Sequence, residues 1–196
     1  MYALEIQRNG ITLAVVGASN ALMFSADISA TIEEEGATID VRGMLDLGSE
    51  RKSHVTWLAL EPLRIGDLLN FRFFESDIAN APVEEMATDS EEHINRQAEY
   101  EALLKSNPMV PGKLDIKQPN ATLQLRAADG PEIIATLESG REFIAFRVLW
   151  NQWRPECCRL SLRSFSQQEA LARSGSSEWF QGTLKVGEQC AVRIGA

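Results

Sequence analysis

Catalysis or metal binding in this chain would have to be built from two histidines, three cysteines and 28 carboxylates. A nucleophilic site pairs a Ser or Cys with a His base. His54 opens an alternating segment beside Trp57, and His93 falls on a polar helical stretch. There is no Gly-x-Ser-x-Gly element and no glycine-rich phosphate loop. A metal centre needs converging His, Cys or carboxylate ligands. The nearest candidates are the Glu33-Glu34-Glu35 run and the acids around Glu84, and three acids in a row before Gly36 read as a solvated loop. Cys157 and Cys158 are adjacent, Cys190 stands alone, and no Cys-x-x-Cys occurs. Neighbouring side chains on a strand face opposite sides, so one thiol of the pair points in and the other out. The expectation is a protein with no catalytic residue, no cofactor and no metal.

Two features could support binding instead. Trp150-Asn151-Gln152-Trp153-Arg154 ends an apolar segment, and two indoles flanked by amides could form a platform for a sugar or a peptide. The competing reading puts Trp150 in the core and Trp153 over a sheet edge. The second feature is acidity. The net charge is −9, yet residues 1–110 carry 19 acids against 8 bases and residues 111–196 carry 9 against 11. Within residues 75–101 nine acids face only Arg96. Such a surface disfavours nucleic acid, whose phosphates need clustered cations, and suits a basic protein partner. The contact candidates are Glu33, Glu34, Glu35, Glu84, Glu85, Glu91, Glu92 and Glu99.

The elements that would position these groups are mostly strands. Hydrophobic residues at 44% and charged residues at 24% suit a globular chain. No apolar run approaches the roughly 18 residues of a membrane span. The N-terminus alternates apolar and polar residues and lacks a signal-peptide pattern, so a cytoplasmic setting is expected. Period two recurs through both halves. Leu4/Ile6, Leu13/Val15, Met23 to Ile28, Ile39/Val41, Val55/Trp57 and Phe71/Phe73 mark six strands in the first. Leu114/Ile116, Leu123/Leu125, Ile133 to Leu137, Phe143 to Leu149, Leu160/Leu162 and Ala191 to Ile194 mark six in the second.

The halves also match each other. Leu63-Arg64-Ile65-Gly66-Asp67 before Phe71-Arg72-Phe73 aligns without a gap on Leu184-Lys185-Val186-Gly187-Glu188 before Val192-Arg193-Ile194, and Trp57 and Trp179 precede the two blocks. At the other end, Leu4-Glu5-Ile6 answers Leu114-Asp115-Ile116 and Thr12-Leu13 answers Thr122-Leu123, which implies an eleven-residue insertion in the second copy. Ser166-Gln167-Gln168-Glu169, a capping-box sequence, places that insertion in a short helix near 166–174. Between the copies, Thr88-Asp89-Ser90-Glu91 starts a helix running to about Lys105, and Asn107-Pro108 ends it. The expected fold is mainly β with minor α: two tandem antiparallel β-sandwich or barrel-like units related by an internal repeat and joined by a helix. The units are 1–83 and 112–196, with 84–111 as an acidic helical connector and linker.

Arg8-Asn9-Gly10, Trp57 and Leu63-x-x-Gly66-Asp67, within residues 4–73, resemble the pattern of small uncharacterised bacterial cytosolic proteins of the toxin-immunity type. That resemblance implies a non-enzymatic protein-binding module that neutralises a toxin through an acidic surface. A carbohydrate- or small-ligand-binding β-protein using Trp150 and Trp153 is the alternative, and a structural adaptor or homodimer is the third reading.

Overall fold

The computed structural model describes residues 1–31, 36–106, 122–127, 132–136, 141–166, 168–169 and 175–195. In chain order the strands of the first half are β1 (Tyr2–Arg8), β2 (Ile11–Val16), β3 (Ala21–Thr31), β4 (Ala37–Gly48), β5 (Arg51–Leu63), β6 (Leu68–Glu75) and β7 (Glu84–Ala87). Helix α1 (Glu91–Ser106) follows. The second half supplies β8 (Thr122–Arg126), β9 (Glu132–Ala135), β10 (Phe143–Asn151), β11 (Cys157–Phe165), β12 (Ser177–Lys185) and β13 (Gln189–Gly195).

These strands form two antiparallel sheets. One has the order β2-β1-β6-β13-β8-β9, and the other β12-β11-β10-β3-β4-β5-β7. The alternation explains the arrangement, because each strand buries every second side chain. Leu4, Ile6, Phe71, Phe73, Leu123 and Ile194 of the first sheet share one core with Phe24, Ile28, Val41, Phe146 and Leu162 of the second. Phe71 meets Phe146 across the layers at 5.6 Å between ring centroids. Trp150 stacks on Phe24 at 4.9 Å, and its indole N–H donates to the Pro155 carbonyl.

The layers are open sheets, not closed barrels, and each is shared by the two halves. β6 pairs with β13 in one sheet and β10 with β3 in the other. The Leu-x-x-Gly blocks lie at this seam. Gly66 N–H donates to Ile194 O and Gly187 N–H to Phe73 O, both at 2.8 Å. Ile194 N–H returns a bond to Asp67 O, and Phe73 N–H returns one to Glu188 O. Gly66 and Gly187 have φ of 96° and 87°, the left-handed region that favours glycine.

The register also places the strands at the start of the halves. Leu4 stands opposite Phe73 and Leu123 opposite Ile194, so β8 holds the place in the second half that β1 holds in the first. Thr122-Leu123 therefore lies on the counterpart of β1, whereas Thr12-Leu13 lies on β2. Leu114-Ile116 falls outside the described residues, as does most of the expected helix near 166–174. Its capping box is formed: Glu169 N–H donates to Ser166 Oγ at 3.1 Å, and Ser166 N–H to Glu169 Oε2 at 2.8 Å. The connector helix is capped two residues later than Thr88 would place it, since Ser90 Oγ accepts from His93 N–H. Residues 84–87, expected in the connector, form β7 on the edge of the seven-stranded sheet.

Turn chemistry accounts for the residues behind the family resemblance. Asn9 and Gly10 take φ of 52° and 82° in the β1–β2 hairpin. Asn9 Nδ2 donates to Asp67 Oδ1 at 2.8 Å, and Asn9 Oδ1 accepts from Leu68 N–H. Asp67 also receives Arg64 N–H and the Arg8 guanidinium, each at 2.7 Å. These residues lock a turn to the neighbouring strand.

Candidate functional site on the outer face of the seven-stranded sheet

Strand register turns the outer face of this sheet into ordered rows. One row runs Thr183, Arg159, Leu149, Ser25, Arg42, Thr56, Glu84 from β12 to β7. The next runs Gln181, Ser161, Arg147, Asp27, Asp40. Charge is sorted along these rows. The β10–β12 end is cationic, the middle mixed and the β7–α1 end anionic.

At the anionic end, no strand among the described residues lies beyond β7. Glu84 and Glu85 are exposed on it, and Glu91, Glu92 and Glu99 are exposed on α1. Arg96 pairs with two of these acids, Glu84 at 3.1 Å and Glu92 at 2.8 Å. The helix exposes nearly all of its described side chains, Ile94 among them, and besides the Arg96–Glu84 pair it meets the sheet through His93. That imidazole stacks on His54 of β5 with centroids 5.0 Å apart. Burial, and then the neighbouring His93, lower the pKa of His54. Residues separate in the sequence and read there as unrelated thus form one contact. Glu33, Glu34 and Glu35 lie outside the described residues.

The middle of the face holds Asp27 and Asp40. Asp27 is ion-paired with Arg147 across the β3–β10 seam. Asp40 pairs with Arg42 at 2.8 Å, while its Oδ1 is buried with no hydrogen-bond partner. Burial raises the Asp40 pKa, and Arg42 only partly offsets that rise.

At the cationic end, an open hollow of about 790 Å³ is lined by Arg147, Arg154, Arg159 and Arg163 with Trp153, Ser161, Gln181 and Thr183, and by no acid. Among the described residues Arg154, Arg159 and Arg163 form no salt bridge. Glu178, opposite Arg163 in register, is hydrogen-bonded to Gln181. The two indoles of the expected platform do not share this surface. Trp150 is buried and Trp153 is 76% exposed, because strand alternation sends Trp150 inward and Trp153 sits on the following turn. The arginines escaped the sequence reading although the signal was present: Arg147, Arg159 and Arg163 alternate with Phe146, Val148, Leu160 and Leu162.

No family model matches this chain, and no match was found among curated proteins or among solved structures. The site stands on its own geometry. Among the described residues no three His, Cys, Asp or Glu side chains converge as metal ligands. Cys158 and Cys190 are buried and Cys157 half-buried. Burial pushes the Cys190 thiol up to about 12 and raises Cys158 as well, so both are protonated and poor nucleophiles.

Proposed function

We propose that this chain is a non-catalytic protein-binding module that receives a basic partner on its β7–α1 edge. The observation that carries this reading is a sheet edge that is unpaired among the described residues, with exposed acids on both elements beside it. Backbone groups of an edge strand can pair with a partner's strand, and the acids steer a cationic surface toward it. Many toxins that act on nucleic acid or nucleotides have basic clefts, so an immunity-type inhibitor that occludes such a cleft fits both the charge and the resemblance of residues 4–73.

We further read the two halves as diverged copies of one unit. Support comes from the mirrored strand orders and the paired bonds of Gly66 and Gly187. On that reading the shared turns are scaffold, and the acidic edge and the arginine hollow are where the copies have specialised.

The test uses paired baits at low salt: the native chain and a Glu91→Lys/Glu92→Lys/Glu99→Lys variant, with captured proteins compared by mass spectrometry. A protein held by the native chain and lost from the variant supports the proposal. Identical capture by the two baits overturns it.

A further inference from the structure

We propose that the arginine-lined hollow at the β10–β12 end binds a nucleotide, with its phosphates on Arg159 and Arg163 and its base on the Trp153 ring. This goes beyond the acidic-edge reading and uses the opposite end of the same sheet.

Three observations carry it. The first is electrostatic: in a chain of net charge −9, the hollow is lined by four arginines and no acid. Arg159 and Arg163 have no salt-bridge partner among the described residues. Both project outward from β11, about 13 Å apart at Cα by strand rise, with Ser161 between them and Arg147 beside Ser161. Guanidinium forks match phosphate oxygens in pairs, which makes such a cluster a phosphate cradle.

The second observation is the ring. Trp153 is 76% exposed, yet its turn is held in place. Trp153 N–H donates to Asn151 Oδ1 at 3.1 Å, Gln152 N–H to Leu22 O at 3.0 Å, and the buried Trp150 indole to Pro155 O at 3.0 Å. An exposed indole on a fixed turn at the rim of a cationic hollow is a stacking platform for a base.

The third is size. The hollow's volume of about 790 Å³ lies in the range of small-ligand sites. Asp27 and Asp40 occupy the next strands along the sheet and would repel a continuing phosphate chain. The ligand is therefore a free nucleotide rather than a polymer.

The experiment is isothermal titration of the full chain at low salt with ATP, GTP, inorganic pyrophosphate and a single-stranded dT oligonucleotide. ATP or GTP should bind, and Arg159→Ala/Arg163→Ala should weaken binding by roughly tenfold or more. Trp153→Ala should weaken the nucleotides while leaving pyrophosphate unchanged. Arg72→Ala, on the other sheet, and the lysine variants of α1 should leave nucleotide affinity intact, which separates this site from the acidic edge. Absence of nucleotide binding, indifference to the double arginine variant, or tighter binding of the oligonucleotide than of the nucleotides would each overturn the assignment.

Discussion

His93 lays its imidazole on that of His54, with ring centroids 5.0 Å apart and planes 21° from parallel. The contact fastens an otherwise exposed helix to the sheet, and it depends on charge. Glu84 and the cations Arg42 and Arg96 line the same recess. Folded His54 takes a proton less readily than it would at its ordinary value of 6.5, because burial and then His93 oppose the charge. The unfolded state therefore gains protons first on acidification. The stabilising contribution is complete above 6.5 and is lost as pH falls through 6.5 toward the folded value. Protection factors in the first turns of α1, with the intrinsic pH dependence of amide exchange divided out, should fall as pH drops from about 7 to about 5, and His54→Phe, which keeps a ring but cannot titrate, should remove the response. Protection factors that do not change with pH would refute the latch.

The Asn9–Asp67 clamp, with its carboxylate buried, should matter to stability. Burial alone would raise the Asp67 carboxyl, but the Arg64 backbone N–H, the Asn9 amide and the Arg8 guanidinium outweigh it and hold the pKa below the ordinary carboxylate value. Its stabilisation is present above the unfolded value of 3.8 and is lost as pH falls through the folded one. Asp67→Ala should cost about 2–4 kcal/mol and Asn9→Ala about 1–3 kcal/mol in denaturant unfolding at neutral pH. An Asp67→Ala cost under about 0.5 kcal/mol would show that the clamp is not structural.

Gly66 and Gly187 provide a test of equivalence. Both have positive φ, and among the described residues neither has an atom, its own chain neighbours aside, within 4 Å of the position a Cβ would take. Alanine at either should cost about 1–2 kcal/mol through backbone strain alone. Similar costs at the two sites are expected, and a large cost at only one would break the correspondence between the halves.

The two tryptophans of the expected platform should separate cleanly. Trp150→Ala removes a buried ring stacked on Phe24 and should cost about 3–5 kcal/mol, while the exposed Trp153→Ala should stay within about 0.5 kcal/mol. Thermal unfolding of the two variants reads this directly.

Much of the fold was legible because burial on one face writes itself as period two. All six strands expected in the first half occur as β1–β6. β12 was missed because a bulge near Arg163 and the small Gly182 break its alternation, and β7 because Glu84-Glu85 reads as helix decoration. The alignment of Leu4 with Leu114 is a different case, since Leu114 lies outside the described residues. Short alternating triplets recur by chance, and strand pairing, which sets Leu4 opposite Phe73 and Leu123 opposite Ile194, is not written in them. The site was less legible still. Acids on one segment are visible as composition, whereas His54 meets His93, and Arg159 and Arg163 share a hollow with Trp153, only through strand order.

The central claim, that a basic partner docks on the β7–α1 edge, is tested most directly by hydrogen exchange of the chain alone and bound to the protein its native form captures. The account predicts new protection at Glu84–Ala87 and along α1, with none gained on β2 or β9. Protection confined to other strands, with that edge exchanging as it does in the free chain, would contradict it.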